Sequence, residues 1–106
     1  IAGETIGGDK VVRTGSDGKI YLADKNTTTH AGKVCGISLA ATVVGATITV
    51  VTSGERTISG LFPGTVYYLG SSGNLTSTPP TAGFIQSVGV GSANGINVSV
   101  GLSILL

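Results

Sequence analysis

Apolar residues along this chain recur at every second position in short runs, and clusters of Gly, Ser, Asn and Thr separate the runs. Alternation of this kind is the mark of half-buried β-strands, whose side chains point to opposite faces in turn. No stretch keeps an apolar period of 3.6 residues for three turns. Eighteen glycines, with many Thr and Val, work further against helix. The pattern predicts about nine short strands, at 10–14, 19–23, 34–39, 46–52, 55–59, 66–69, 75–77, 84–90 and 96–100. Gly15-Ser16-Asp17-Gly18 and Gly70-Ser71-Ser72-Gly73-Asn74 supply hairpin turns rich in residues that tolerate positive φ. Ser53-Gly54 reads as a further turn, and Gly91 to Gly95 joins the last two strands. Pro63, Pro79 and Pro80 all fall between strands, where a missing N–H leaves the ladders intact.

Within this pattern lies an internal repeat. Val11 to Ile20 aligns with Val66 to Leu75 at an offset of 55, Ala31 to Ile37 with Ala82 to Val88 at 51, and Gly45 to Val50 with Gly95 to Val100 at 50. Hairpin, loop, strand, strand thus occurs twice, with the length differences in loops. The expectation is an all-β fold: one antiparallel barrel or sandwich over residues 1–106, with pseudo-repeats at 10–52 and 65–100 related by an approximate two-fold. Neither half would bury its apolar face alone.

At 106 residues the chain fits one domain. Hydrophobic residues reach an ordinary 41%, but charged residues are only 10%, against roughly 25% in an average soluble domain. A surface of Thr, Ser, Gly and Asn suits a protein packed against neighbours. The cations Lys10, Arg13, Lys19, Lys25, Lys33 and Arg56 are never adjacent, and Asp9, Asp17, Asp24 and Glu55 lie near most of them. No basic stripe for nucleic acid and no polybasic membrane patch is present, and the apolar runs fall far short of a membrane span. The chain opens on Ile1 without a recognisable signal peptide, which reads as a processed product or a piece of something longer.

Candidate chemistry is sparse. Cys35 is the single cysteine, in the apolar run Val34-Cys35-Gly36-Ile37, and reads as a small core thiol. His30 is the single histidine, in a polar stretch, and reads as a turn-capping or solvated side chain; a metal shared by His30 from several copies is the sharper alternative. A Ser-His-acid triad lacks the Gly-x-Ser-x-Gly elbow. Asp17 and Asp24 flank turns, where carboxylates bond local amides more readily than they form a glycosidase pair. Gly89-x-Gly91 with Gly95 lacks the helix and the Lys-Ser/Thr of a phosphate loop. Matches to the glycosylation pattern at Asn26, Asn74 and Asn97 show only polar segments. Trp is absent, and Tyr21, Tyr67 and Tyr68 sit on strands, so a sugar-stacking platform is not evident. No catalytic, cofactor or metal residue is assigned, and no enzymatic activity is expected.

The runs Ser16-Asp17-Gly18-Lys19-Ile20-Tyr21-Leu22-Ala23-Asp24 and His30-Ala31-Gly32-Lys33-Val34 resemble a small β module of tailed-bacteriophage structural proteins. Val51-Thr52-Ser53-Gly54-Glu55, Val66-Tyr67-Tyr68-Leu69-Gly70, Thr78-Pro79-Pro80-Thr81-Ala82-Gly83-Phe84 and Ile104-Leu105-Leu106 share the likeness. It covers most of the chain, although its motifs are turns and strand edges. The short, Trp-free stretch Arg56 to Phe62 departs from the longer loop of that module. The resemblance implies a capsid-decoration (cement), head-fibre or tail-fibre domain of the virion, frequently a homotrimer, assembled with partners such as the major capsid protein. The chain ends are the expected contacts, through Ile1, Ile6, Leu102, Ile104, Leu105 and Leu106. An alternative is a receptor- or host-glycan-binding fibre tip using the loops of Thr28, His30 and Phe62.

Overall fold

The computed structural model describes residues 1–105. Two antiparallel sheets are packed into a sandwich, and among the described residues the only helical turns are short 3-10 segments at Thr28–His30 and Ser71–Gly73. The first sheet holds β1 (Val11–Thr14), β2 (Ile20–Leu22), β3 (Val34–Ser38) and β4 (Val50–Val51), in the order β2-β1-β3-β4. The second holds β5 (Ser53–Thr57), β6 (Val66–Leu69), β7 (Leu75–Thr76), β8 (Phe84–Gly91) and β9 (Gly95–Ser99), in the order β5-β9-β8-β6-β7. β10 (Ser103–Leu105) resumes the antiparallel run along β8, pairing Ser103 with Gln86 and Leu105 with Phe84.

Three sequence expectations change here. The strand expected at 46–52 forms a ladder only at Val50–Val51, because residues 46–49 bond to irregular neighbours: Ala46 to Ala2, and Thr49 to Leu39. Ser53-Gly54 is no turn. Thr52 alone separates β4 from β5, so one extended segment leaves the first sheet and pairs with β9 of the second from Ser53↔Ser99 to Thr57↔Gly95. A tenth strand, β10, lies in the terminal segment, for which the sequence leaves open both a last strand of the domain's own fold and an anchor for a neighbour.

The pairing order occurs twice. β1, β2, β3 and β4 correspond to β6, β7, β8 and β9, and the irregularities coincide as well. The β1–β3 ladder shifts register between Val12 and Arg13, and the β6–β8 ladder between Tyr67 and Tyr68, 55 positions on. Gly36 and Gly89, 53 positions apart, follow the skipped residue in each ladder. A Cβ on Gly36 would collide with the Val51 carbonyl oxygen, and one on Gly89 with that of Asn97, a pair 46 positions apart in the corresponding strands. Glycine stands at both places because another backbone passes too close for a side chain. In both hairpin turns the amide of the first glycine bonds across, Gly15 to Lys19 at 2.8 Å and Gly70 to Asn74 at 2.7 Å.

Equivalent residues nevertheless point opposite ways. Val11 and Ile37 are buried between the sheets with Val51 packed against them, whereas their counterparts Val66, Val90 and Asn97 are exposed. Conversely Tyr67, Val88 and Ile96 fill the core between the sheets. Their counterparts Val12, Cys35 and Val50 face the other way, into a second cluster closed by Ala2, Ile6 and Ile48. Sheets facing each other across a two-fold would bring equivalent residues together. These two sheets stack in the same sense, head to tail.

The main core therefore lies between the sheets, around Val11, Ile37, Leu69, Phe84, Val88, Ile96 and Val98. Arg56 on β5 crosses to the first sheet, with Nη2 2.9 Å from the Asp9 carboxylate and 2.8 Å from the Leu39 carbonyl. The far side of the first sheet is closed by the chain's own start and the 42–46 segment. Ala2 bridges to Ile20, Ile6 to Thr42, and the Gly45 amide donates to Ala2 O at 2.8 Å.

Candidate interaction surface

The chain ends are held firmly by their backbones and unevenly by their side chains. At the start, the Ile20 amide donates to Ile1 O at 2.9 Å and Gly3 N donates to Ile20 O at 2.8 Å, so residues 1–3 extend the edge beside β2. The Ile1 side chain is exposed. Ile6 is 0% exposed in the second cluster, so it is a core residue and no contact for a neighbour, contrary to its expected place at an interface. At the other end, the buried Gln86 fixes β10: its Nε2 donates to Gly101 O at 2.6 Å, and its Oε1 accepts from Ser103 Oγ. Ser103 Oγ also accepts from the Gly32 amide at 2.8 Å. Although β10 is anchored, Leu102, Ile104 and Leu105 stand 89%, 58% and 64% exposed. Leu106 lies outside the described residues. Ile1 sits at the β2 edge of the first sheet, and Leu102, Ile104 and Leu105 lie on or beside β10 of the second.

The residues of the expected receptor loops are spread out. His30 closes the Thr28–His30 turn, its Nδ1 accepting from the Asp24 amide at 3.1 Å. That bond places the imidazole proton on Nε2. Burial pushes its pKa below the ordinary 6.5, and the nearby Arg13 charge adds to this. Thr28 is exposed at the head of the same turn. Phe62 is 71% exposed in a different loop, its amide donating to Tyr67 Oη at 2.8 Å. Among the described residues no hydrogen bond joins the two loops.

Other polar groups serve local structure. Asp17 accepts from the Lys19 amide and the Tyr21 hydroxyl, and Asp24 from the Asn26 amide, the turn roles expected of them. The Tyr21 bond holds the Asp17 carboxyl below its usual range, and the carboxylate in turn raises the Tyr21 phenol. Cys35 borders an open groove of about 460 Å³ with Thr14, Gly15, Ser16, Gly32, Lys33 and Val34. Burial raises its pKa, which keeps the thiol protonated and weakly nucleophilic at neutral pH. Among the described residues no three His, Cys, Asp or Glu side chains gather as metal ligands would.

One surface was not foreseen. The register across the second sheet aligns Val66, Val90, Asn97 and Glu55 in one exposed row. This outer face has Tyr68 and Thr76 as a further cross-strand pair and carries no cation. The signal for it stands in the sequence: all eleven Lys, Arg, Asp and Glu residues and His30 lie at or before Arg56, and residues 57–106 contain none. Compared with protein-family models, curated proteins and solved structures, the chain matches none.

Proposed function

We propose that this chain is a structural subunit of a bacteriophage particle, a head-decoration or fibre domain that acts by multivalent packing against its neighbours. The observation that carries the reading is the anchored, apolar β10 at the end of an uncharged half: Leu102 just before the strand and Ile104 and Leu105 on it are exposed, while Gln86 and Ser103 tie the strand down. Exposed leucines of this kind are a liability on a lone molecule and an anchor on a docked one. Small interfaces of modest strength become lasting when many copies engage at once. The partners are further copies of the chain, a homotrimer being the expected count, and other virion proteins such as the major capsid protein.

The test is the size of the free chain by light scattering, for wild type and for Leu105→Asp. Wild type is expected above monomer mass and the variant below wild type. An unchanged size for Leu105→Asp would remove the anchor. Phe62, exposed beside Pro63 and Gly64, favours a second reading as a receptor- or glycan-binding tip. That reading expects saturable binding to a glycan array, weakened in Phe62→Ala, and a blank array would dispose of it.

A further inference from the structure

We infer that copies of this chain associate head to tail, the outer face of the second sheet of one copy seating on the segment that covers the first sheet of the next. This deepens the structural-packing reading and rests on it.

The inference starts from the repeat. Within one chain, the face of the first sheet that presents Val11, Ile37 and Val51 is buried against the second sheet. The equivalent face of the second sheet presents Val66, Val90 and Asn97, all exposed, with no described segment packed over them. The covalent stack is thus open at that end. At its other end, the cover over the first sheet exposes Ile1, Val43 and Val44 at 61%, 64% and 61%. These three lie together, because Ala2 N donates to Ala46 O and Gly45 N donates to Ala2 O, each within 3 Å. Residues 34–54 carry no charged side chain, just as residues 57–106 carry none. Two valine-bearing surfaces poor in charge therefore terminate the stack, with Glu4, bound to the Leu22 amide, in the cover and Glu55 in the sheet row, so joining them desolvates little charge. Glu55, at the β5 edge of the row, is the carboxylate of that face to be left on the wet rim.

The alternative of two copies meeting by their second-sheet faces would bury one patch and leave the Ile1, Val43 and Val44 patch open. Head-to-tail contact covers both and repeats the sense of stacking already present inside the chain. Five strands of two to eight residues, at about 4.8 Å spacing and about 3.4 Å per residue, offer on the order of 400 Å² of sheet face per copy. Stable interfaces bury roughly 800 Å² per partner, so one contact is about half of that and persists by repetition. A head-to-tail contact closes into a ring or extends as a filament, according to its rotation.

The experiment uses the full chain with Val90→Lys and Val44→Lys, each at an exposed position, and follows mass by sedimentation velocity. Each variant alone is expected to weaken self-association by about tenfold or more. An equimolar mixture is expected to give a one-to-one heterodimer that grows no further, since Val44→Lys keeps one surface intact and Val90→Lys the other. A dimer retained by Val44→Lys but lost by Val90→Lys would overturn the head-to-tail arrangement in favour of face-to-face pairing. A wild-type oligomer unmoved by both variants but dissociated by Leu105→Asp would overturn this inference and leave the packing reading standing. A wild type that stays monomeric at its highest soluble concentration would sink both.

Discussion

Gly36 and Gly89 show how little freedom single residues have where two backbones cross. Each leaves room for a carbonyl oxygen of the adjacent strand, Val51 O and Asn97 O respectively, and a methyl group in that space forces the strands apart. Gly89→Ala is expected to cost about 1–3 kcal/mol, as overpacking does, read as a lower denaturant midpoint at unchanged slope. His30 offers a second residue-scale test. Its folded pKa lies below the unfolded 6.5, so below that pH the unfolded chain binds more protons than the folded one. The His30 contribution is complete above about pH 6.5 and is lost as pH falls through the folded pKa. Protonation also turns Nδ1 from acceptor to donor, against the Asp24 amide. Stability between neutral and mildly acid pH is expected to fall in wild type and to be flatter in His30→Gln, by thermal unfolding across the range. The turn roles of Asp17 and Asp24 were legible in the sequence because they join residues two apart. The crowding at Gly36 and Gly89 was not, since it depends on strands distant along the chain.

At the level of elements, alternation located most strands because a half-buried sheet imposes period two on its side chains. It failed where pairing and periodicity part company. Residues 46–52 alternate well, with Ile48 and Val50 turned inward and Thr47 and Thr49 outward, yet most of them bond to loops. β10 is the reverse case: both Ile104 and Leu105 are exposed, so no alternation marked it, and Gln86 and Ser103 hold it instead. Ser103→Ala removes the hydroxyl that serves both Gln86 Oε1 and the Gly32 amide. The expected loss is about 1–3 kcal/mol for the unsatisfied buried acceptor. Amide exchange is expected to quicken first at residues 103–105, while the β6–β8 ladder stays protected; uniform acceleration would place the strand within the global folding unit.

For the molecule as a whole, the sandwich depends on one core to which both sheets contribute, with Phe84 the largest fully buried side chain. Phe84→Ala is expected to cost about 3–5 kcal/mol, a large share of the roughly 5–15 kcal/mol that domains possess. Chemical denaturation should show one early transition rather than two. Arg56, by contrast, pairs with Asp9 near the surface, so Arg56→Met should change stability by no more than about 1 kcal/mol. The duplication could be read from the residues, and the offset of 55 holds for the first hairpin. The ladders place the later strands at offsets of 53 and 46 where the alignment has 51 and 50, and the sense of stacking could not be read at all. It depends on which face of each strand looks inward, and Val11 and Val66 share a place in the repeat while facing opposite surroundings. The candidate surface was similarly half-visible: the apolar end drew notice by its composition, whereas the row of Val66, Val90 and Asn97 exists only once β6, β8 and β9 lie side by side.

Thr52 gives the two layers a common fate. With a single residue between Val51 in one ladder and Ser53 in the other, there is no slack to absorb tension, so a pull that peels β5 from β9 is handed at once to β4 and β3. Stretched from its ends, such a chain should yield in one step rather than layer by layer.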